Sequence, residues 1–213
     1  MKNSQSTILR IGIQGGPGSF NDSAIRELTT GLNAKVSIHY LDDTESVLSA
    51  IENEGIELGQ FALYNSYAGL YEESLNAIGK FRFRIHSMQP MAIVHCLMKR
   101  PDITYEELTT IMSHKEVFKQ CRRTLAERFS HLTLEEGSAE LTDPARVGAA
   151  ISSGKLPPTT AVVSNGLIAE LHDLDVVERG LQDQKDSIST FVRVMQLGDT
   201  GKLEGKVRTP TTF

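Results

Sequence analysis

Only two of the 213 residues are cysteine, Cys96 and Cys121. They have no metal-ligand spacing to each other, so neither a zinc site nor a disulfide is expected, and buried reduced thiols are. Nowhere do eighteen apolar residues run together, and the N-terminal MKNSQSTILRIGIQ has too short an apolar run for a secretory leader. No membrane span is expected. A basic block is missing too: 22 Lys and Arg are scattered among 27 Asp and Glu, for a formal charge of -5. That charge argues against nucleic acid or an anionic membrane as partner. The exclusions leave a soluble cytoplasmic protein, long enough for one large domain or two small lobes.

What is present is an alternation of strand and helix patterns. The β-branched run ILRIGIQ ends at GGPGS and is followed by the helically spaced NDSAIRELTTGL. KVSIHYL, DTESVLSAIENEG and ELGQFALY then read as strand, helix and strand, with a further helix over Glu72 to Ile78. FRFRIHSMQPMAIVHCLM reads as extended chain kinked near Pro90, long enough to leave one lobe and enter another. A second alternation starts at ITYEELTTIMSH, where Thr104 and Glu107 have capping-box spacing. KEVFKQCRRTLAERF reads as one amphipathic helix, with Val117, Cys121 and Leu125 on a stripe. LTLEE, a helix over Leu141 to Ser153, TAVVS, NGLIAELH and DLDVVE follow, and the tail GKLEGKVRTPTTF is polar and loose. QKDSISTFVRV is the last strand and crosses back toward the first lobe. The expected class is α/β, with mostly parallel sheets and flanking helices.

In open α/β sheets, ligands sit beyond the carboxyl ends of the strands, where helix N-termini offer N–H groups to anions. Small hydroxyl and amide residues collect at four such places: GGPGSF, YNSYAG, SHKE and the SN of TAVVSN. Together they point to a carboxylate-binding cleft. Each also has a plain structural alternative. GGPGSF lacks dinucleotide-fingerprint spacing and can be a tight turn; Ser113 with Glu116 can be a capping box; Asn65 and Ser66 can be helix caps. His114, at the first turn of a helix, is either neutral and functional or simply exposed.

The order of these motifs resembles the prephenate dehydratase family from about Ile8 to Leu197. GGPGSF, Gly15 to Phe20, is similar to that family's Gly-Pro-x-Gly-(Thr/Ser)-(Phe/Tyr) turn. YNSYAG keeps Asn65, Ser66 and Gly69 of its Glu-Asn-Ser-x-x-Gly segment. SHKEVFKQC, Ser113 to Cys121, is the most specific match, to Ser-His-Pro-Gln-Ala-x-x-Gln-Cys. SISTF stands where the family has Asn-x-Thr-Arg-Phe. The resemblance implies two lobes like type II periplasmic binding proteins, residues 1–88 with 189–213 and residues 89–188, and a ligand in the cleft between them. It implies prephenate or a similar small dicarboxylate as substrate, phenylpyruvate as product within phenylalanine biosynthesis, no metal or organic cofactor, and a homodimer or higher oligomer. The catalytic positions it implies are Ser189 and Thr190; the substrate-binding ones are Gly18, Ser19, Phe20, Tyr64, Asn65, Ser66, Ser113, His114, Ser164, Phe191 and Arg193. Family members commonly continue into a phenylalanine-binding ACT domain, and a chain ending at Phe213 is expected to lack one.

Two departures from the family pattern fall within the pocket that the resemblance implies: Thr190 replaces the arginine and Tyr64 the glutamate. A neutral hydroxyl does not replace a guanidinium on a carboxylate, since charge-assisted bonds are about twice as strong. Arg193, on the same face as Ser189 and roughly 7 Å further along, is either a substitute clamp or a surface arginine at a strand end. Which of Ser189 and Thr190 takes the family hydroxyl's place turns on whether a bulge is present. Three activities stay open: a dehydratase, a non-aromatising prephenate decarboxylase, and a silent binding protein for an aromatic or keto acid.

Overall fold

The computed structural model describes residues 8–198 apart from Gly31 and Asn33; the N-terminal MKNSQST and the tail GKLEGKVRTPTTF, both subjects of expectations above, lie outside them. The elements run β1 (Leu9–Gln14), α1 (Phe20–Thr29), β2 (Val36–Leu41), α2 (Thr44–Glu52), β3 (Leu58–Asn65), the short β4 (Gly69–Leu70), α3 (Glu72–Ile78) and β5 (Phe83–Ala92). They continue with β6 (His95–Lys99), β7 (Thr110–Ser113), α4 (Lys115–Gln120), α5 (Arg122–Arg128), β8 (Thr133–Glu136), α6 (Pro144–Ser152), β9 (Thr160–Asn165), α7 (Leu167–His172), β10 (Asp175–Arg179) and β11 (Ile188–Gln196). The α/β class expected from the alternating pattern is the observed one.

The chain forms two compact units. The first holds the described residues up to Gly15, Asn21–Met91 and those from Ile188 on; the second holds Gly16–Phe20 and Ala92–Ser187. In the first, the sheet order is β2-β1-β3-β11-β5, with β4 paired to β3. β1 lies parallel to β2 and β3, as crossover helices require, while β11 arrives last and runs antiparallel to β3. Leu9, Ile11, Ile13 and Met195 pack with Ile25 of α1 on one face; Phe61, Val192 and Val194 pack with Val47, Leu48 and Ile51 of α2 on the other. Gly59 lets α2 close on the sheet, since a Cβ there would stand 2.7 Å from Val47.

The second unit's sheet has the order β10-β6-β9-β7-β8, parallel among β9, β7 and β8 and antiparallel where β6 and β10 join. In this sheet parallel pairing is thus confined to the strands that crossover helices connect. Val117, Cys121 and Leu125 pack with Leu97 and Ile111 on one face, and Val147, Ile151 and Ile168 with Met98 and Val162 on the other.

Several boundaries differ from the sequence expectation. The helix over KEVFKQCRRTLAERF is two, parted at Cys121 (φ -112°, ψ 11°). The distant Asp183 explains the break: its carboxylate accepts from Arg123 N at 2.8 Å and from Thr124 N and Oγ1 at 2.9 Å, an N-cap for α5 supplied from another segment. Burial works to raise that carboxyl, but the bonds from Arg123 and Thr124 outweigh it and hold it below its ordinary range. The helix expected from Leu141 starts at Pro144 instead, after a 3-10 turn at Ala139–Thr142. Proline excludes helical backbone at the residue before it, and Asp143 caps the helix by accepting from Ala145 N at 2.9 Å. β5 runs through Pro90 unbroken and ends at Ala92. The Thr104–Glu107 capping box is formed, on a 3-10 turn.

Candidate functional site

In the first unit β3 and β11 carry six of the expected residues, Tyr64 and Asn65 on β3 and Ser189, Thr190, Phe191 and Arg193 on β11. Ser189 lies opposite Asn65 and Thr190 opposite Tyr64, but Phe191 lies opposite Ala62. Leu63 is therefore an extra residue, a one-residue bulge on β3 that leaves alternation along β11 intact. The hydroxyl that meets Asn65 is that of Ser189: Asn65 Nδ2 donates to Ser189 Oγ at 3.0 Å. The amide cannot be turned round, because Asn65 Oδ1 accepts from Tyr67 N at 2.9 Å and Ala68 N at 3.0 Å. Ser189 is the acceptor toward Asn65, so its own proton is not spent there. Ser66 fastens the start of β11, its N donating to Ile188 O at 2.9 Å and its Oγ accepting from Ile188 N at 3.0 Å. Asn65 and Ser189 are buried, Thr190 half-buried, and Tyr64 41% exposed. Tyr64 and Thr190, which replace the family's glutamate and arginine, are thus direct cross-strand partners.

Phe191 and Arg193 lead away from this group into the core, at 2% and 1% exposure. Arg193 is not a surface arginine. Its Nε donates to Gln60 Oε1 at 2.9 Å, and its Nη2 to Ala24 O at 3.1 Å and to Gln89 Oε1. These acceptors are neutral, and burial pushes the guanidinium down to about 10 against the opposing field of Glu27. The guanidinium joins α1, β3, β5 and β11, which a sequence placing it in a polar strand end does not reveal.

In the second unit the Gly16–Phe20 turn is held by Asn165, whose Nδ2 donates to Ser19 O at 3.0 Å and whose Oδ1 accepts from Leu167 N at 3.3 Å. Gly18 sits at φ +87°, and a Cβ there would stand 2.8 Å from Ile168, so glycine is required on both counts. Phe20 meets the His95 ring edge-on, centroids 5.3 Å apart. Ser164 is buried opposite Cys96 in the β6–β9 ladder. Ser113, fully buried, donates its proton to Val163 O at 2.6 Å. The expected capping box of Ser113 with Glu116 is not formed: Ser113 still belongs to β7, and His114 is the N-cap, its Nδ1 accepting from Glu116 N at 3.2 Å.

From the SN pair, sequence reasoning chose Ser164 and not Asn165 as a substrate contact, and it gave no individual role to His95 or to Gln120 of SHKEVFKQC. His95 is 1% exposed, its Nε2 bonded to Gln120 Oε1 at 2.8 Å. With that oxygen as acceptor the proton is on Nε2, and Nδ1 has no partner among the described residues. Burial lowers the imidazole below its usual 6.5, the Gln120 bond opposing, so His95 is neutral at neutral pH. A lone histidine in the apolar run AIVHCLM was the available signal. Among the described residues no three His, Cys, Asp or Glu are grouped to hold a metal, and no helix is long and apolar enough to cross a membrane.

A family model described as prephenate dehydratase matches residues 11–197. Arogenate dehydratase/prephenate dehydratase 6, chloroplastic, from Arabidopsis thaliana is 27% identical over 184 residues, 86% of this chain and 42% of that protein. A prephenate dehydratase from Arthrobacter aurescens, solved in complex with L-Phe, has a TM-score of 0.76 at 20% identity, covering 89% of this chain and 61% of that one. GqqA, described as a novel type of quorum quenching acylase, has a TM-score of 0.74 at 21% identity, covering 90% and 65%. At these identities the solved structures share the fold. The chain spans less than half the length of the Arabidopsis relative.

Proposed function

We propose, since this chain belongs to the prephenate dehydratase family, that it is a carbon–oxygen lyase acting on prephenate or arogenate, with Ser189 as the proton-handling hydroxyl. The observation that carries this reading is the bond from Asn65 Nδ2 to Ser189 Oγ at 3.0 Å. It fixes the oxygen from one side and leaves the O–H to donate to a second partner.

The reaction asks for little else. The ring carboxylate leaves as carbon dioxide, its C–C bonding pair enters the ring, and the C–O bond to the ring hydroxyl breaks with its own pair. The departing oxygen takes the Ser189 proton and leaves as water; the ring is then aromatic, and Ser189 regains a proton from solvent. Aromatisation drives the step, so holding the substrate and supplying one proton are the protein's main tasks. Prephenate carries a keto group where arogenate carries an ammonium, and the same step turns them into phenylpyruvate and phenylalanine.

One observation favours a second reading, decarboxylation without loss of the hydroxyl. Tyr64 and Thr190, directly paired across β3 and β11, are both neutral, so this pair gives no cation to assist departure of hydroxide. The test is product identification after incubating purified protein with prephenate and, separately, with arogenate. Enzyme-dependent phenylpyruvate or phenylalanine supports the dehydratase; a dihydro-hydroxyphenylpyruvate selects the second reading; binding without turnover overturns both.

A further inference from the structure

The bulge at Leu63 decides which residue of β3 meets Ser189, because a one-residue slip would bring Tyr64 opposite that hydroxyl and turn Asn65 to the other face. Something must hold it. A bulge leaves backbone groups outside the ladder, and buried ones need partners. β1 ends at Gln14 and its pairing with β3 stops at Gln60, so among the described residues no strand pairs with Ala62 on that side. Side chains take over. Gln14 Oε1 accepts from Ala62 N at 3.3 Å, Ser74 Oγ donates to Ala62 O at 2.6 Å, and Tyr71 N donates to Leu63 O at 3.0 Å.

Both side chains are themselves tied down. Gln14 Nε2 donates to Glu73 Oε2 at 2.7 Å, which fixes the orientation of its amide. Glu73 Oε1 accepts from Thr44 N at 2.8 Å, an anion at the N-terminus of α2. Ser74 has one proton and gives it to Ala62; its Oγ also lies 3.0 Å from Thr44 Oγ1, which contacts Glu73 Oε2 at 3.3 Å. Thr44 and Ser74 are fully buried.

We propose that Gln14 and Ser74 are positioning residues for the Asn65–Ser189 pair: by satisfying the backbone of Ala62 they hold the Leu63 bulge and thereby the register of the last residues of β3 against β11. The effect on catalysis rests on the reading of Ser189 given above; the effect on register does not.

Two variants test it, Ser74→Ala and Gln14→Leu, each read by cross-strand nuclear Overhauser contacts in labelled protein and by steady-state kinetics on whichever of prephenate and arogenate the native protein converts. Contacts of residues 189–190 with 64–65 should weaken while those of 192–194 with 59–61 persist. Turnover should fall about ten- to hundredfold with KM changing less, the expected result of misplacing a reacting group by about 1 Å. Unchanged contacts at 189–190 in both variants overturn the proposal. Shifted contacts with native turnover overturn its catalytic half. If the native protein converts neither substrate, the reading of Ser189 fails while the contacts still decide the register.

Discussion

Ser189 and Ser113 are both buried serines near a strand end, both in motifs the sequence marks for substrate, and their hydroxyls are used in opposite ways. Ser113 donates to Val163 O at 2.6 Å, and its proton joins two strands of the second unit. Ser189 accepts from Asn65 at 3.0 Å, and its proton is not used in that bond. A hydroxyl has one proton, so the direction of its shortest bond separates a structural serine from one with a proton to give.

The strongest way to break this contrast is Ser189→Ala. Turnover should drop about 100-fold or more with little change in KM, because proton transfer to the leaving oxygen is lost while binding is not. Native turnover in that variant would place the two serines in the same class. Next in size, Thr190→Arg should tighten prephenate binding roughly ten- to hundredfold, as a charge-assisted carboxylate bond is worth on the order of 1.5 to 3 kcal/mol. Calorimetric titration checks it. Because Tyr64 is the residue opposite, adding Tyr64→Glu should give a double variant more stable than the two single effects summed, by about 0.2 to 1 kcal/mol.

Ser113→Ala should show the reverse signature to Ser189→Ala. Val163 O loses its donor in a buried setting, a cost of about 1 to 3 kcal/mol measurable by urea denaturation, while the turnover of folded protein stays near native. A turnover loss matching that of Ser189→Ala would sink the structural assignment. The smallest effect concerns His95. Its folded-state pKa lies below the ordinary 6.5, so the unfolded chain binds the proton more readily. Stability is therefore complete above about pH 6.5 and falls as pH drops through and below that value, with His86 and His172, also lowered by burial, adding to the slope. His95→Gln should flatten the stability curve between neutral and mildly acid pH; an unchanged slope would mean that His95 does not titrate there.

Much of the fold was readable because it rests on local patterns. The crossover order of β1, α1, β2, α2 and β3 follows from alternating apolar periods, and Glu72 to Ile78 is a helix with the expected bounds. Misreadings came where a distant residue intervened. Asp183 splits one helix into α4 and α5 from some sixty positions away. Val163 claims the Ser113 hydroxyl from fifty positions away, and the capping role passes to His114.

The sequence by itself determined the α/β class, the family motifs from GGPGSF to SISTF, and the two departures at Tyr64 and Thr190. Only the tertiary structure decided that those departures face each other, that Arg193 is buried among neutral acceptors instead of reaching solvent, and that Ser189 rather than Thr190 meets Asn65. The reason is physical. Periodicity and capping act over a few residues and leave a trace in composition, whereas a bulge and the destination of a hydroxyl proton depend on which strand arrives alongside, and β11 joins β3 from more than a hundred residues further along the chain.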